Sequence, residues 1–521
     1  MPFSRLVLVG KKAERNAMKY LFQNLHHQYY RRMGEKGLEM SERLQALAME
    51  KAAILTGDAE RVAKQHAEGK STARERVAKL FDAGSFVEID ALRKDGNAVA
   101  GSGTVNGQAV YCFAQDFTSC GGAMTTAQAQ KLLKTLNMAR VTGSPIVALL
   151  DSAGVKLEEG MNALPAYAEI LSALARLSGV CPIITCVMGP CAGLAAMMTQ
   201  LSDINIEVNK TGEIRLHTAQ VMNSEKGRAK TAQQLFGAET MDAQGAVALT
   251  AENEDEAFAL ITSLIDLLPA SNMEDAPLAD GEDLNRLTAC DDPDEAAALM
   301  ADLADGNQVI EFYKGYGPAI HTALCRIGGR TVGLVANDHK VDSGRLTSQD
   351  ARKAARFVRM CDCFGLPVVS LVNTDGLAVP MTSHQGALLR GGAELIYAYA
   401  EATCPKIAIF TGDAVGAAYV AMGGRAIADV SYAWPTAMIA PLTAQAAVQT
   451  LDGEKLNAGE SRESLEEAYA KKHGALCAAQ AGVVDDVIEP RETRKYIIAA
   501  LEVLASKHDV NLPKKHGNLP L

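Results

Sequence analysis

The sequence predicts an α/β protein built from two tandem copies of one fold. Three observations point there. The chain contains its own duplicate, each copy alternates short apolar strands with helical stretches, and 521 residues exceed what one hydrophobic core usually organises.

Sliding the chain against itself exposes the duplicate. VNGQAVYCFAQD (105–116) overlies IGGRTVGLVAND (327–338), so Gly107 meets Gly329 and Asp116 meets Asp338, each 222 positions on. At the same offset MTTAQAQKLLKTLNMARVTGSPIVALLDSAG (124–154) overlies LTSQDARKAARFVRMCDCFGLPVVSLVNTDG (346–376), matching Lys131 with Lys353 and Gly154 with Gly376. One inserted residue later CPIITCVMGPCAGLA (181–195) overlies CPKIAIFTGDAVGAA (404–418), and Gly193 meets Gly416. Register held through three blocks is not a chance alignment.

PIVALL and PVVSLV are short apolar runs suited to buried parallel strands. MTTAQAQKLLKTLNMARV reads as a helix after a Thr start. PAYAEILSALARLS and GGAELIYAYAEAT are the helices after the glycine turns. Strand, turn, helix in repetition is βαβ architecture, with ligands expected beyond the carboxyl ends of the strands. The expected organisation is an N-terminal helical arm over 1–70, one domain over 71–275 and a second over 290–521. A linker rich in Pro, Asp and Asn lies near 268–292.

Hydrophobic residues make up 48 % of the chain and charged residues 22 %, as in globular proteins generally. No apolar run approaches ~18 residues, which argues against a membrane span. The net charge of −11 argues against nucleic acid as the main partner. The eleven cysteines lie in apolar or strand-like runs without a CxxC pair, so buried reduced thiols and a cytoplasmic location are expected, not a zinc ribbon. Residues 1–32 are basic (Arg5, Lys11, Lys12, Arg15, Lys19) but contain only Ser4 as serine, which favours an extra helix, or a start codon assigned too early, over a targeting peptide. NAMKY around Lys19 imitates a biotinylation motif and is read as coincidence.

The chemistry centres on glycines at strand ends. Each copy has two such turns: Ala153, Gly154 and Val155 with Gly193 and Leu194, then Gly376 and Leu377 with Gly416, Ala417 and Ala418. Backbone N–H groups converging from two turns make an oxyanion hole without any particular side chain, and helix N-termini add positive partial charge. A lone glycine more often only permits a tight turn; here the arrangement is paired and duplicated. There is no GxSxG elbow, HExxH or GxxxxGK[ST] loop. Asp151, Glu158, Glu159, Asp375 and His384 form no acid–base set by spacing and are expected at the solvated surface.

STARERVAKLFDAGSFVEID (71–90), QDFTSCGGAM (115–124), MGPCAGLAAMM (188–198), FVRMCDCFGLPVV (357–369), YAYAEATCPK (397–406), SYAWPTAMIAP (431–441) and KKHGNLPL (514–521) resemble the biotin-dependent acyl-CoA carboxyltransferase family. That family includes the β subunit of propionyl-CoA carboxylase and the carboxyltransferase subunits of methylmalonyl-CoA and glutaconyl-CoA decarboxylases. The resemblance covers residues 40–521. It implies two crotonase-like domains (the ClpP/crotonase fold), the N-terminal half taking a coenzyme A thioester and the C-terminal half taking biotin from a separate carrier protein. It implies an active site where one subunit's N half meets another's C half, in a homo-hexamer built as a trimer of dimers. The implied partners are a biotin carboxyl carrier protein with biotin carboxylase, or a decarboxylase membrane subunit. By motif position Gly154 and Gly193 supply a hole for the thioester enolate, and Gly376 with Gly416, Ala417 and Ala418 a hole for the biotin ureido oxygen. Gly121 and Gly122 lie in the CoA-side loop, and Val420, after Tyr419, lies near the acyl group.

The sequence departs from the family's usual SGGAR at SAGVK (152–156), from GPCAGGA at GPCAGLA, from DVPGF at NTDGL (373–377) and from YGGAY at VGAAY (415–419). Lys156 stands for arginine, a change that matters at a bidentate site. Ala417 replaces a glycine and is tolerable only at negative φ. Asp375 sets a carboxylate beside the biotin-side hole. Three readings follow. The first is a carboxyltransferase acting on short acyl-CoA, within a carboxylase or a decarboxylase. The second is a non-catalytic paralogue that keeps only fold and oligomer. The third is a hydratase or isomerase, which would expect carboxylates where Val155 and Leu194 stand.

Overall fold

The computed structural model describes residues 37–226, 229–379 and 381–518. The basic segment 1–32 and the NAMKY stretch lie outside the described residues. The chain divides into two compact units, Met1–Val62 and Ala63–Leu521. In the first, helix α1 spans Gly37–Thr56. Helix α2, Ala59–Ala67, runs across the division. Helix α3, Ala73–Leu80, opens on a reciprocal cap in which the Thr72 hydroxyl accepts the Glu75 N–H and Glu75 accepts the Thr72 N–H, the arrangement that Thr-x-x-Glu favours.

The second unit contains two eight-stranded sheets. The first holds β1 (Val87–Glu88), β2 (Ala98–Val105), β3 (Gln108–Gln115), β4 (Ile146–Ser152), β5 (Ile183–Ala192), β6 (Ile204–Val208), β7 (Glu213–Arg215) and β8 (Leu249–Ala251). They run in the order β1-β2-β3-β4-β5-β6-β8, with β7 on β5. The second holds β9 (Val309–Phe312), β10 (Ile320–Ile327), β11 (Arg330–Asn337), β12 (Val368–Thr374), β13 (Lys406–Val415), β14 (Val430–Ala433), β15 (Met438–Ala440) and β16 (Asp486–Val487). Its order is β16-β14-β13-β12-β11-β10-β9, with β15 on β13. Each sheet is antiparallel over its first three strands (β1–β2–β3, β9–β10–β11) and parallel from there through its central strands. The expected α/β duplication is therefore the fold.

Strand periodicity explains the layers. Val147 and Leu149 belong to one buried cluster, while Ile146, Ala148 and Leu150 belong to another on the opposite face. Both faces being covered is why β4 is apolar throughout. The first cluster continues into Leu324, Val335 and Phe410 of the second sheet, so the two sheets share one core. The matched lysines are both buried. Lys131 Nζ donates to Glu88 at 3.0 Å and to the Ala98 carbonyl at 2.8 Å. Lys353 Nζ donates to the Gly317 carbonyl at 3.3 Å.

Residues 268–295 contain no helix or strand, yet they are pinned to the second sheet. Ala279 N–H donates to the Gly329 carbonyl at 3.0 Å, and Arg326 donates to the Pro277 carbonyl at 2.9 Å. All eleven cysteines are free thiols, but Cys120, Cys363 and Cys477 are exposed, against the expectation of uniform burial. Among the described residues no helix is long and apolar enough to cross a membrane.

Candidate active site

The glycine turns sit at the carboxyl ends of β4, β5, β12 and β13. Gly154, two residues beyond β4, has φ +110°, and Gly376, two beyond β12, has φ +103°. Gly193 and Gly416 follow β5 and β13 directly with φ +63° and +56°. All four occupy a region costly for any other residue. Within each half the two turns touch. A Cβ at Gly154 would lie 3.2 Å from the Ala192 carbonyl oxygen, and one at Gly376 3.0 Å from that of Val415.

A third turn closes over the first in each half. Ala153 N–H donates to the Gly121 carbonyl at 2.9 Å, and Asp375 N–H donates to that of Ser343 at 3.1 Å. Gly122 presses against β4 so closely that a Cβ there would be 2.1 Å from the Asp151 carbonyl oxygen.

The hydrogen bonds decide which amides are engaged and which face outward. Gly154 N–H is taken by the Ser152 hydroxyl at 3.1 Å, and Gly376 N–H by the Thr374 hydroxyl at 3.0 Å. Gly193 N–H is taken by the Arg215 carbonyl at 2.8 Å, and Gly416 N–H by that of Ala440 at 2.9 Å. The glycines shape the turns, and their own N–H groups are engaged. Met124 N–H donates to the Gly154 carbonyl at 2.8 Å, and Lys156 N–H to the Met124 carbonyl at 3.0 Å, a parallel bridge with Val155. The residue between two such bonds turns its own N–H and C=O to the other side. Val155 therefore points its amide away from Met124. Leu377 does the same against Leu346, with both bonds at 2.9 Å.

The second turn of each half stands where a short helix begins. Helix α4 (Thr126–Thr142) and helix α5 (Ala163–Leu177) flank β4, and helix α6, Ala195–Gln200, follows Gly193. Leu194 has φ −66° and ψ −21°, an ordinary helical conformation, so the loss of glycine there is tolerated. Helix α7 (Ala417–Met422) starts straight after Gly416, and Ala417 is not among the positive-φ residues. The condition for alanine at 417 is met. The first N–H groups of a helix have no intrahelical acceptor, which leaves Ala417 and Ala418 available. Val420 is 49 % exposed on α7 and is not buried against its own half.

Of the titratable candidates, Asp375 lies in the first turn of the second half and the others lie outside the turns. Asp151, expected at the surface, is fully buried. Its carboxylate meets Arg76 at 2.9 Å and Gln65 at 3.0 Å, while Arg76 also reaches Glu254 at 2.7 Å. Burial works against the Arg76 charge, but Asp151 and Glu254 outweigh it and hold the guanidinium above its ordinary value. Glu159 caps α4 by accepting the Thr126 N–H at 2.9 Å and its hydroxyl at 2.8 Å. Glu158 and His384 are exposed. Asp375 is half-buried, and its carboxylate, after burial, helps push Asp413 above the usual carboxylate range while His339 acts the other way. No group of three or more His, Cys, Asp or Glu among the described residues could hold a metal. Sequence reading missed the hydroxyls of Ser152 and Thr374. Their matched places in the repeat were the available signal.

The carboxyl transferase domain family matches residues 64–519. The methylmalonyl-CoA decarboxylase subunit alpha of Veillonella parvula is 38 % identical over 510 residues, covering 92 % of this chain and 99 % of that one. The mitochondrial propionyl-CoA carboxylase beta chain of Homo sapiens is 37 % identical over 500 residues, covering 90 % and 92 %. The solved transcarboxylase 12S structure with methylmalonyl-coenzyme A and methylmalonic acid bound superposes with a TM-score of 0.88 at 35 % identity, over 93 % of this chain and 99 % of that one. A chain so matched over nearly its whole length belongs to the carboxyl transferase family.

Proposed function

We propose that the protein is a carboxyltransferase moving a carboxylate between biotin on a carrier protein and a short acyl-CoA of the propionyl/methylmalonyl type. The observation that carries this reading is the pair of outward amides, Val155 and Leu377, each beside a second turn in its own half. In the N-terminal half (71–275) the Val155 and Leu194 amides face the thioester oxygen and stabilise the negative charge that develops there as the α-carbon gains or loses its carboxylate. In the C-terminal half (290–521) the Leu377, Ala417 and Ala418 amides hold the biotin ureido oxygen. A neutral, planar ligand of that kind suits a turn built of backbone donors and closed to any side chain at Gly376. Biotin, when bound, supplies the nitrogen that carries the carboxylate. The Gly121 and Gly122 loop fixes the first turn through the Ala153 N–H. With biotin freed of its carboxylate also able to take up or return the substrate's α-proton, no side-chain base is required of the protein, in keeping with Asp151 and Glu159 being committed to structural bonds.

The segments after each first turn expose large apolar side chains, Leu157 at 80 % and Met161 at 82 % in one half, Val379 at 85 % and Leu389 at 65 % in the other. They support assembly through these faces into a homo-hexamer, the assembly of the solved transcarboxylase 12S structure, that works with a biotin carboxyl carrier protein. The free thiols of all eleven cysteines support a cytoplasmic location. Running the same transfer toward decarboxylation is a second reading, favoured by the Veillonella relative. The test is decarboxylation of malonyl-CoA and methylmalonyl-CoA with free biotin across a panel of acyl-CoA esters. Activity with none of them, in folded protein, contradicts the proposal.

A further inference from the structure

Two hydrogen bonds shape the turn after β4. The Ser152 hydroxyl accepts Gly154 N–H, and Ala153 N–H reaches the Gly121 carbonyl. The turn after β12 has both. Thr374, fully buried, accepts Gly376 N–H at 3.0 Å and donates its own hydroxyl to the Gly344 carbonyl at 2.6 Å, while Asp375 N–H reaches the Ser343 carbonyl at 3.1 Å. Where the family's usual stretch reads DVPGF, valine would stand at Thr374 and proline at Asp375. Valine has no hydroxyl and proline no N–H, so neither bond could form. This chain's second turn is a hydrogen-bonded replica of its first.

The bonds matter because Gly376 has the widest backbone freedom of any residue. Its N–H is tied to Thr374 and its carbonyl to Leu346 N–H at 2.9 Å. Both peptide groups flanking Gly376 are thereby fixed, and the second of them carries the outward N–H of Leu377. We propose that Thr374 is a positioning residue of the biotin-side turn, its hydroxyl holding Gly376 so that the Leu377 amide faces the ligand. This rests on the function proposed above.

Thr374→Val removes the hydroxyl at nearly constant volume, and Thr374→Ser keeps it. Hydrogen–deuterium exchange of the peptide containing Gly376 is read beside kcat for transfer to free biotin and calorimetric affinity for propionyl-CoA. For Thr374→Val the expected result is exchange at Gly376 roughly tenfold faster and kcat roughly tenfold lower, with propionyl-CoA affinity unchanged. Thr374→Ser restores both. If Thr374→Val does not fold, Thr374→Cys, a weaker acceptor of similar size, is held to the same criteria. Unchanged exchange and kcat, or Thr374→Ser as impaired as Thr374→Val, overturns the role. A wild type that transfers nothing to biotin overturns the proposed function and this role with it. A wild type that transfers, beside an unaffected Thr374→Val, overturns this role alone.

Discussion

The guanidinium of Arg76 lies 2.9 Å from the carboxylate of Asp151, both side chains fully buried. Asp151 in turn presses on β5, since a Cβ at Gly189 would fall 2.1 Å from its carboxylate oxygen. Helix α3, β4 and β5 thus share one charged contact just before the turns at Gly154 and Gly193. Removing one partner of a buried pair leaves the other uncompensated. Arg76→Met therefore destabilises by about 3–5 kcal/mol, read as a lowered urea midpoint. Arg76→Lys does not restore it, because lysine cannot reach Asp151 and Glu254 with a planar fork. A midpoint unchanged in either variant contradicts this.

Gly154→Ala and Gly376→Ala force a side chain onto φ values of +110° and +103°. The backbone strain is about 1–3 kcal/mol, small enough for the fold to survive. The outward amides of Val155 and Leu377 shift with the turn, and losing one such donor lowers kcat by roughly 10²-fold. Steady-state kinetics beside thermal melts separate the effects. Full activity in both variants would remove the turns from the mechanism.

Val420 is half exposed beside the turn at Gly416. On the proposed function, an apolar residue of medium size at this position is expected to favour propionyl- or butyryl-CoA over acetyl-CoA, a hydrophobic pocket separating one methylene by about 10- to 200-fold. Val420→Asp erodes that preference. Comparing kcat/KM for the three esters checks it. An outright preference for acetyl-CoA, or ratios untouched by the substitution, takes Val420 out of chain selection.

Asp203, whose carboxylate accepts Ile183 N–H at 2.8 Å, is pushed up to about 6 by burial, against that bond and Arg356. A carboxyl raised in the fold above its ordinary value of 3.8 binds its proton more tightly there than when unfolded. Its stabilising contribution is complete below the unfolded value and is lost as pH rises through about 6. Asp203→Asn does not titrate, so its stability relative to the wild type rises between about pH 4 and pH 6. Paired urea titrations at the two pH values read the difference, and a gap that stays constant contradicts the assignment.

The duplication and the paired turns were legible because each is a local pattern. A β-branched run ending in glycine before a helix signals a buried parallel strand feeding a turn, and its recurrence 222 positions on, from Gly154 to Gly376, doubles the signal. Which amides face outward was not legible. Whether Gly154 or Val155 presents its amide depends on which side of the chain Met124 bonds, a contact across 31 residues that no spacing encodes. Asp151 read as surface because its partner Arg76 lies 75 positions upstream, in a helix that only the fold brings to β4. Leu194 and Ala417 looked like damage to a glycine motif. They are compatible with the turns because the positive φ falls on Gly193 and Gly416, one residue earlier.

The proposed function turns on transfer of a carboxylate between biotin and an acyl-CoA. The most direct measurement incubates the protein with methylmalonyl-CoA labelled in its free carboxylate and follows label and thioester by mass spectrometry, with and without a biotinylated carrier domain. Propionyl-CoA is expected to form in step with labelled biotin, and no reaction is expected without biotin. Folded protein that binds the thioester but forms no propionyl-CoA with the carrier present, or that forms it equally well without biotin, is not a biotin-dependent carboxyltransferase.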